Sequence, residues 1–407
     1  MKTKILREYA RLIAQKGVNI QKGQEVWITA GLDQPKFVEM LVKECYALGA
    51  KKVVVDWVYD KLTVLDSRYM TQEAMNEMPE WQIQKMKYQA EVLPARIYLD
   101  SDDPDGMKYA RQDKLANERI AKYAIRKPYI DAMDNRYQWC IAAVAGRDWA
   151  KKVFPDESPS KAIEKLWEAI LYTSRAQSTP IENWNKHNKD LHAKCDYLNS
   201  LGLKYLQYSA SNGTNLRVEL LENANFLAGS EKSLQGIEFN PNIPSEEVFT
   251  TPKAGAAEGI VYSTKPLSYQ GALIENFYVE FKGGKVIEVH AEKNEELLRQ
   301  MVSMDDGAKM LGECALVPYD SPINNSGILF YNTLFDENAS CHLALGRGFS
   351  NCIKDFDKYT QEDFDKMGVN TSMIHVDFMI GDSTLDIVGE TKDGRKIQIF
   401  KGGNWAF

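Results

Sequence analysis

Glu247, Glu313, His342, His375 and Asp377 are the residues of this 407-residue chain whose types suit a metal-dependent hydrolytic centre. Hard divalent ions take carboxylate oxygens and imidazole nitrogens, and little else in the sequence offers a comparable set. His375 and Asp377 stand two apart in IHVDFMIG. Side chains at i and i+2 of a strand share a face, so the two would project together while Val376 and Phe378 point the other way. An isolated His-x-Asp also suits a solvent-facing edge strand, so the pair needs the other three residues to become a site. Together the five supply what two ions require: a carboxylate able to bridge, a role open to Glu313 or Asp377, with terminal acids and imidazoles around it.

Three further acids lie close by in sequence. Glu246 precedes Glu247 in PSEEVFTTP and is a candidate proton carrier, or else an acid that solvates the start of a strand. Glu337, five residues before His342, is a candidate additional ligand, substrate-amine contact or supporting acid, and Asp336 is of the same class. Cys314 and Cys341 adjoin Glu313 and His342, but chain neighbours point elsewhere in a strand or a helix, so they read as packing residues. The five-residue spacing of His187 and His192 takes them off a common helical face, and they read as surface residues.

The elements that must carry these residues fall into two textures, which predict an α/β chain with a domain boundary near residue 200. Residues 1–200 alternate helical patterns with the β runs GQEVWITA, KKVVVDWV, ARIYLDSDDP and QWCIAAVAG, as in an open α/β domain with a mainly parallel sheet. No GxGxxG or GxxxxGK[ST] follows these runs, so nothing marks a dinucleotide or phosphate site. Residues 201–407 predict a β-rich α+β metal-binding domain. Asn212-Gly213 and Gly283-Gly284 each sit between strand-like runs and signal hairpins, with His290 on a charged face of the second. The pattern NEELLRQMVSMDDGAKMLGE predicts one helix that delivers Glu313 at or just beyond its end.

Composition limits the function classes. Residues 1–200 hold 32 Lys and Arg against 28 Asp and Glu, whereas residues 201–407 hold 18 against 29. An acidic second half repels polyanions and suits cations, which argues against nucleic acid as a partner. No apolar stretch is long enough to span a bilayer, and the amphipathic N-terminus does not read as a signal peptide, so the expected address is cytoplasmic. Six cysteines without a CxxC pair read as reduced thiols.

The motifs NIPSEEVFTTP, STKPLSYQGALIENF, LGECALVPYDSPI, SGILFYNTLFDENASCHLALG, HVDFMIG and GGNWAF, in this order, closely resemble the metallo-aminopeptidase family of aminopeptidase T, AmpS and PepS. QKGQEVWI, ECYALGAKKVVV and AGRDWAKKVFP extend the resemblance over essentially the whole chain. It implies a cytosolic, homodimeric exopeptidase that removes N-terminal residues from peptides with two divalent ions, zinc or cobalt. By motif, the implied ligands fall on Glu247, Glu313, His342, His375 and Asp377. One position departs: where the family carries a catalytic tyrosine, this chain reads LGRGFS and places Phe349. A phenol can donate to a developing oxyanion and phenylalanine cannot, so the expectation is a slower enzyme, a substitute donor such as Tyr331 or Tyr359, or metals kept for a different reaction. Two rival readings remain at this level. A ring-cleaving Fe(II) dioxygenase would need only His342, His375 and Asp377, and a non-catalytic peptide-binding relative would need no turnover.

Overall fold

Runs of β-branched and aromatic residues form the four main strands of a parallel sheet in the computed structural model, which describes residues 3–407. Across the sheet they lie in the order Lys52–Val58, Glu25–Gly31, Ala95–Asp100, Trp139–Ala143, with the short strand Asn242–Ile243 parallel at the edge. Helix Pro35–Ala47 crosses from the first strand to the second; its proline occupies the first turn, where no amide donor is needed, and it buries Phe37, Val38, Leu41 and Cys45. These elements belong to one compact unit, which runs through Asn185 and includes residues 230–243.

In this order the sheet has its switch point between Glu25–Gly31 and Ala95–Asp100, the position at which open α/β sheets take ligands. The loops there line an open cleft of about 810 Å³. Six aspartates, among them Asp33, Asp60 and Asp102, line it against Lys61, Lys108 and Arg147. Such a lining disfavours a phosphate, in keeping with the missing glycine-rich motif.

Residues 186–229 and 244–407 form the second unit. Its larger sheet contains both expected hairpins, Leu203–Ser209 with Asn215–Leu220 and Ala272–Lys282 with Lys285–Lys293. His290 is exposed on the second, with Nδ1 2.6 Å from a Glu295 carboxylate oxygen. A smaller antiparallel sheet runs His375–Met379, His342–Gly346, Leu311–Leu316, Val248–Thr250, Leu227–Ala228. One face of it supplies Cys314, Leu343, Leu345, Val376 and Phe378 to a core shared with Tyr208, Val218, Phe277 and Val279 of the larger sheet. The Phe277 and Phe378 rings meet at 5.8 Å across this core. Among the described residues, no helix is long and apolar enough to cross a membrane.

Two expectations are corrected. The predicted helix ends at Val302, only a short turn at Gly307–Lys309 follows, and Glu313 lies within the strand Leu311–Leu316. Asp305 ends the helical pattern: its Oδ1 accepts from the Ala308 amide and its Oδ2 from the Met373 amide, so its carboxylate binds backbone that a continuing helix could not offer. His187 is also not a surface residue. On helix Pro180–Ser200 it falls on the stripe of Asn188, Leu191, Cys195 and Leu198 and is 9% exposed, while His192 is half-buried.

Candidate metal centre

The second face of the smaller sheet is where the acids and imidazoles converge. Asp377 and Glu313 both stand opposite Ala344, one from each flanking strand, and His375 stands opposite Gly346. Opposed residues in antiparallel strands share a face, so a methyl group is all that separates the two carboxylates along this row. His342 is two residues before Ala344 and faces the same way. Glu247 immediately precedes the strand Val248–Thr250.

Glu313 reaches this face through a β-bulge. Leu311 pairs with Leu345 and Glu313 with Ala344, so Gly312 is an extra residue against its neighbour strand. In an unbroken strand Leu311 and Glu313 would share one face; the bulge leaves Leu311 in the core and turns Glu313 out. Only glycine fits there, because a Cβ on Gly312 would meet the carbonyl oxygens of Gly346 and Arg347 at 2.3 Å.

The side chains form two overlapping triads. Donor atoms of Glu247, Glu313 and His342 lie within 4.8 Å of one another, as do those of Glu313, His375 and Asp377. Glu313 belongs to both. His342 Nε2 is 3.3 Å from a Glu247 oxygen, and His375 Nε2 is 3.1 Å from Glu313 and 3.4 Å from Asp377. His375 Nδ1 lies 2.6 Å from the Arg347 carbonyl oxygen; a carbonyl only accepts, so Nδ1 carries the proton and donates, which directs Nε2 into the cluster. His342 repeats the arrangement more loosely, with Nδ1 3.4 Å from the Ser340 carbonyl.

The electrostatics are those of a site short of positive charge. Glu247, Glu313, His342 and Asp377 are buried, and the ion pairs formed by the three carboxylates are with histidines. Burial pushes the Glu313 carboxyl up to about 7, with Asp377 and Glu247 adding to the rise against the His375 hydrogen bond. For His342 burial opposes the charge, but the hydrogen bond to Glu247 and the carboxylates around it prevail and hold it up to about 10. Burial likewise opposes the charge on Asp377, and His375 beside it holds that carboxyl down to about 2. Protons on the imidazoles thus stand where cations would.

Asp377 tests whether the site fits metal ions. Its Oδ1 is buried without a hydrogen-bond partner, although His375 Nε2 lies within ion-pairing distance. At 3.4 Å that contact is too long for a good hydrogen bond, and a buried carboxylate oxygen left so among imidazole nitrogens and further carboxylates belongs to a donor set suited to a divalent ion.

The neighbouring acids separate by role. Glu246 is buried, its amide donating to Asn338 Oδ1 at 2.6 Å. Glu337 lies outside both triads, yet burial first and the charges of Asp377 and Glu247 next push its carboxyl well above the usual range. Asp336 faces the backbone instead, accepting from the amides of Phe330 and Asn332 at 2.9 and 3.0 Å. Phe349 is half-buried, its ring 4.8 Å from that of His375 and 5.3 Å edge-on from Phe249. Tyr359 packs edge-on against Phe364 at 6.1 Å, and Tyr331 holds a left-handed backbone at φ 55° beside the loop tied by Asp336. The two cysteines lie in the core, as their positions beside ligand candidates predict.

Buried overlapping triads of oxygen and imidazole donors, on a sheet within a two-unit α/β chain, mark the class of metal-dependent enzymes. The model of the thermophilic metalloprotease family M29 matches residues 2–405, and the chain belongs to that family. Aminopeptidase AmpS of Bacillus subtilis is 41% identical over 406 residues, covering 99% of this chain and 98% of the relative. The solved structure of wild-type AmpT from Thermus thermophilus superposes with a TM-score of 0.91 at 35% identity, covering 99% of both chains. The protein is accordingly a hydrolase, a metallo-aminopeptidase that acts on peptides with divalent metal ions. A 2,5-dihydroxypyridine dioxygenase from Pseudomonas putida shares the fold alone, at 12% identity and a TM-score of 0.52.

Proposed function

We propose that the chain removes N-terminal residues from peptides at a two-ion centre, with Glu247, Glu313 and His342 holding one ion and Glu313, His375 and Asp377 the other. The membership of Glu313 in both triads carries this reading. When bound, the ions supply Lewis-acid polarisation of the scissile carbonyl and bring a water molecule toward ionisation near neutral pH. The side chains do the rest. Nδ1–H donation to the Arg347 carbonyl keeps the His375 Nε2 lone pair aimed at the centre. Glu246, buried beside Glu247 but outside the triads, takes the proton from the attacking water and returns it to the departing amine. Glu337, whose carboxyl burial pushes well above the usual range, would ionise against a substrate ammonium and so suits that contact.

Phe349 occupies the place of an oxyanion donor and offers only an apolar edge, so turnover is slowed. We also infer zinc or cobalt as the ions, a homodimer, and a cytoplasmic location; six free, buried cysteines suit a reducing compartment. The test is to incubate metal-reconstituted protein with a peptide and follow the products by mass. A ladder shortened one residue at a time from the amino end supports the assignment, and internal cleavage contradicts it. Light scattering that returns a monomer would remove the dimer.

A further inference from the structure

A single peptide bond ahead of the two glutamates is held at both ends by buried side chains. The Ser245 carbonyl oxygen lies 2.7 Å from His187 Nε2, and the Glu246 amide on the same bond donates to Asn338 Oδ1 at 2.6 Å. A carbonyl only accepts, so His187 Nε2 must carry a proton and donate it. Asn338 has no freedom to turn round, because its Nδ2 donates to the Leu334 carbonyl at 2.9 Å and only Oδ1 is left for Glu246. Its own backbone caps the short helix Thr333–Glu337, so the clamp also joins the Glu246 segment to the element that carries Glu337.

The peptide plane sets the direction in which the next side chain leaves the backbone. Glu246 and Glu247 are adjacent and both buried, yet only Glu247 is in a triad. Sending one carboxylate to the ions and the other to the reacting water requires the intervening backbone not to rotate. His187 Nε2 stands 4.0 Å from a Glu246 oxygen, beyond hydrogen-bond reach, with its proton committed to the carbonyl. The imidazole thus orients the segment through the carbonyl bond and not through the Glu246 carboxylate.

We infer that His187 is a positioning residue for the reaction, fixing the Ser245–Glu246 peptide so that Glu246 faces the substrate beside the centre proposed to include Glu247. This rests on the proton-transfer role proposed for Glu246. The sequence carried a signal for it that the His187 to His192 spacing hid: His187 lies four residues before Leu191, on the apolar stripe of its own helix.

The test uses His187→Leu, which fills the space without a donor, His187→Gln, which restores an Nε2 donor, and Glu246→Gln, each loaded with metal and assayed on one peptide. With metal content equal to wild type, His187→Leu is expected to lower kcat tenfold or more with KM changed less than twofold, and His187→Gln to recover most of the loss. Added to Glu246→Gln, His187→Leu should cost little more. If His187→Leu does not fold, His187→Ala replaces it, and a crystal structure of the Gln variant shows whether the carbonyl bond has been remade. Unchanged kcat in the donor-free variant, where Glu246→Gln is severely slow, overturns the inference alone. Loss of an ion from that variant also overturns it, by moving the effect to Glu247. Full activity of metal-loaded Glu246→Gln instead removes the proton-transfer role itself.

Discussion

At the scale of single residues, the centre is a set of charges that neutralise one another imperfectly until cations arrive. His342 in the metal-free protein is held up to about 10 from 6.5, so its charged form stabilises the fold. That contribution is fully present below about 6.5 and is lost as pH rises through about 10. Melting curves of chelator-treated protein should therefore fall between pH 7 and 10, and the metal-loaded protein, in which the proposed ligation takes the Nε2 proton from His342, should show a smaller fall. Metal must also displace that proton, so calorimetric titrations near pH 7.5 in buffers of different ionisation enthalpy should report net proton release; heats that do not vary with buffer would contradict it. Phe349 is the second residue-scale test. Phe349→Tyr restores a donor whose loss typically costs about 3 kcal/mol, so kcat/KM on aminoacyl arylamides should rise by on the order of a hundredfold if the hydroxyl reaches the oxyanion. No gain in a folded, metal-loaded variant would remove the oxyanion role from this position. The candidate donors were legible in the sequence because hard-ion donors are a small set of residue types, and the fold brings the five together. The backbone partners were not, since the Arg347 carbonyl that orients His375 leaves no mark on residue identity.

Among elements, the smaller sheet of the second unit decides which donors meet. Hairpin turns and the His375, Asp377 alternation were readable from periodicity, because glycine at positive φ and a two-residue repeat are local properties. The route of Glu313 was not local. LGECAL in a plain strand would set Leu311 and Glu313 on one face, and only pairing with His342–Gly346 creates the bulge that parts them. Likewise a His on a polar-looking helix declared itself only once its neighbours on the stripe were counted. Gly312→Ala tests the bulge: its Cβ would need to displace backbone oxygens at 2.3 Å. Overpacking of this kind costs about 1–3 kcal/mol, so a lower melting temperature together with reduced metal content is expected. Normal metal content at normal stability would show that the bulge does not deliver Glu313.

For the whole molecule, the chain divides its tasks between two units. The first builds a parallel sheet whose switch-point cavity is acidic and lacks a phosphate loop; the second builds the sheet that gathers the candidate metal donors. On the proposed assignment ions bind the folded state of the second unit, since the candidate donors come from separate strands, and so should stabilise it by mass action. Removing them with a chelator should lower the melting temperature and re-addition should restore it. An unchanged melting temperature after verified metal removal would mean that the cluster does not couple to folding.

The central claim is that Glu313 joins two ion sites, and metal stoichiometry tests it most directly. Protein purified without chelator and reconstituted with excess zinc or cobalt should hold two ions per chain by mass spectrometry after desalting. His342→Ala should retain one, and Glu313→Gln should lose both with the fold intact by circular dichroism. A single ion in the wild-type chain, or two ions in Glu313→Gln, would contradict a shared dinuclear centre.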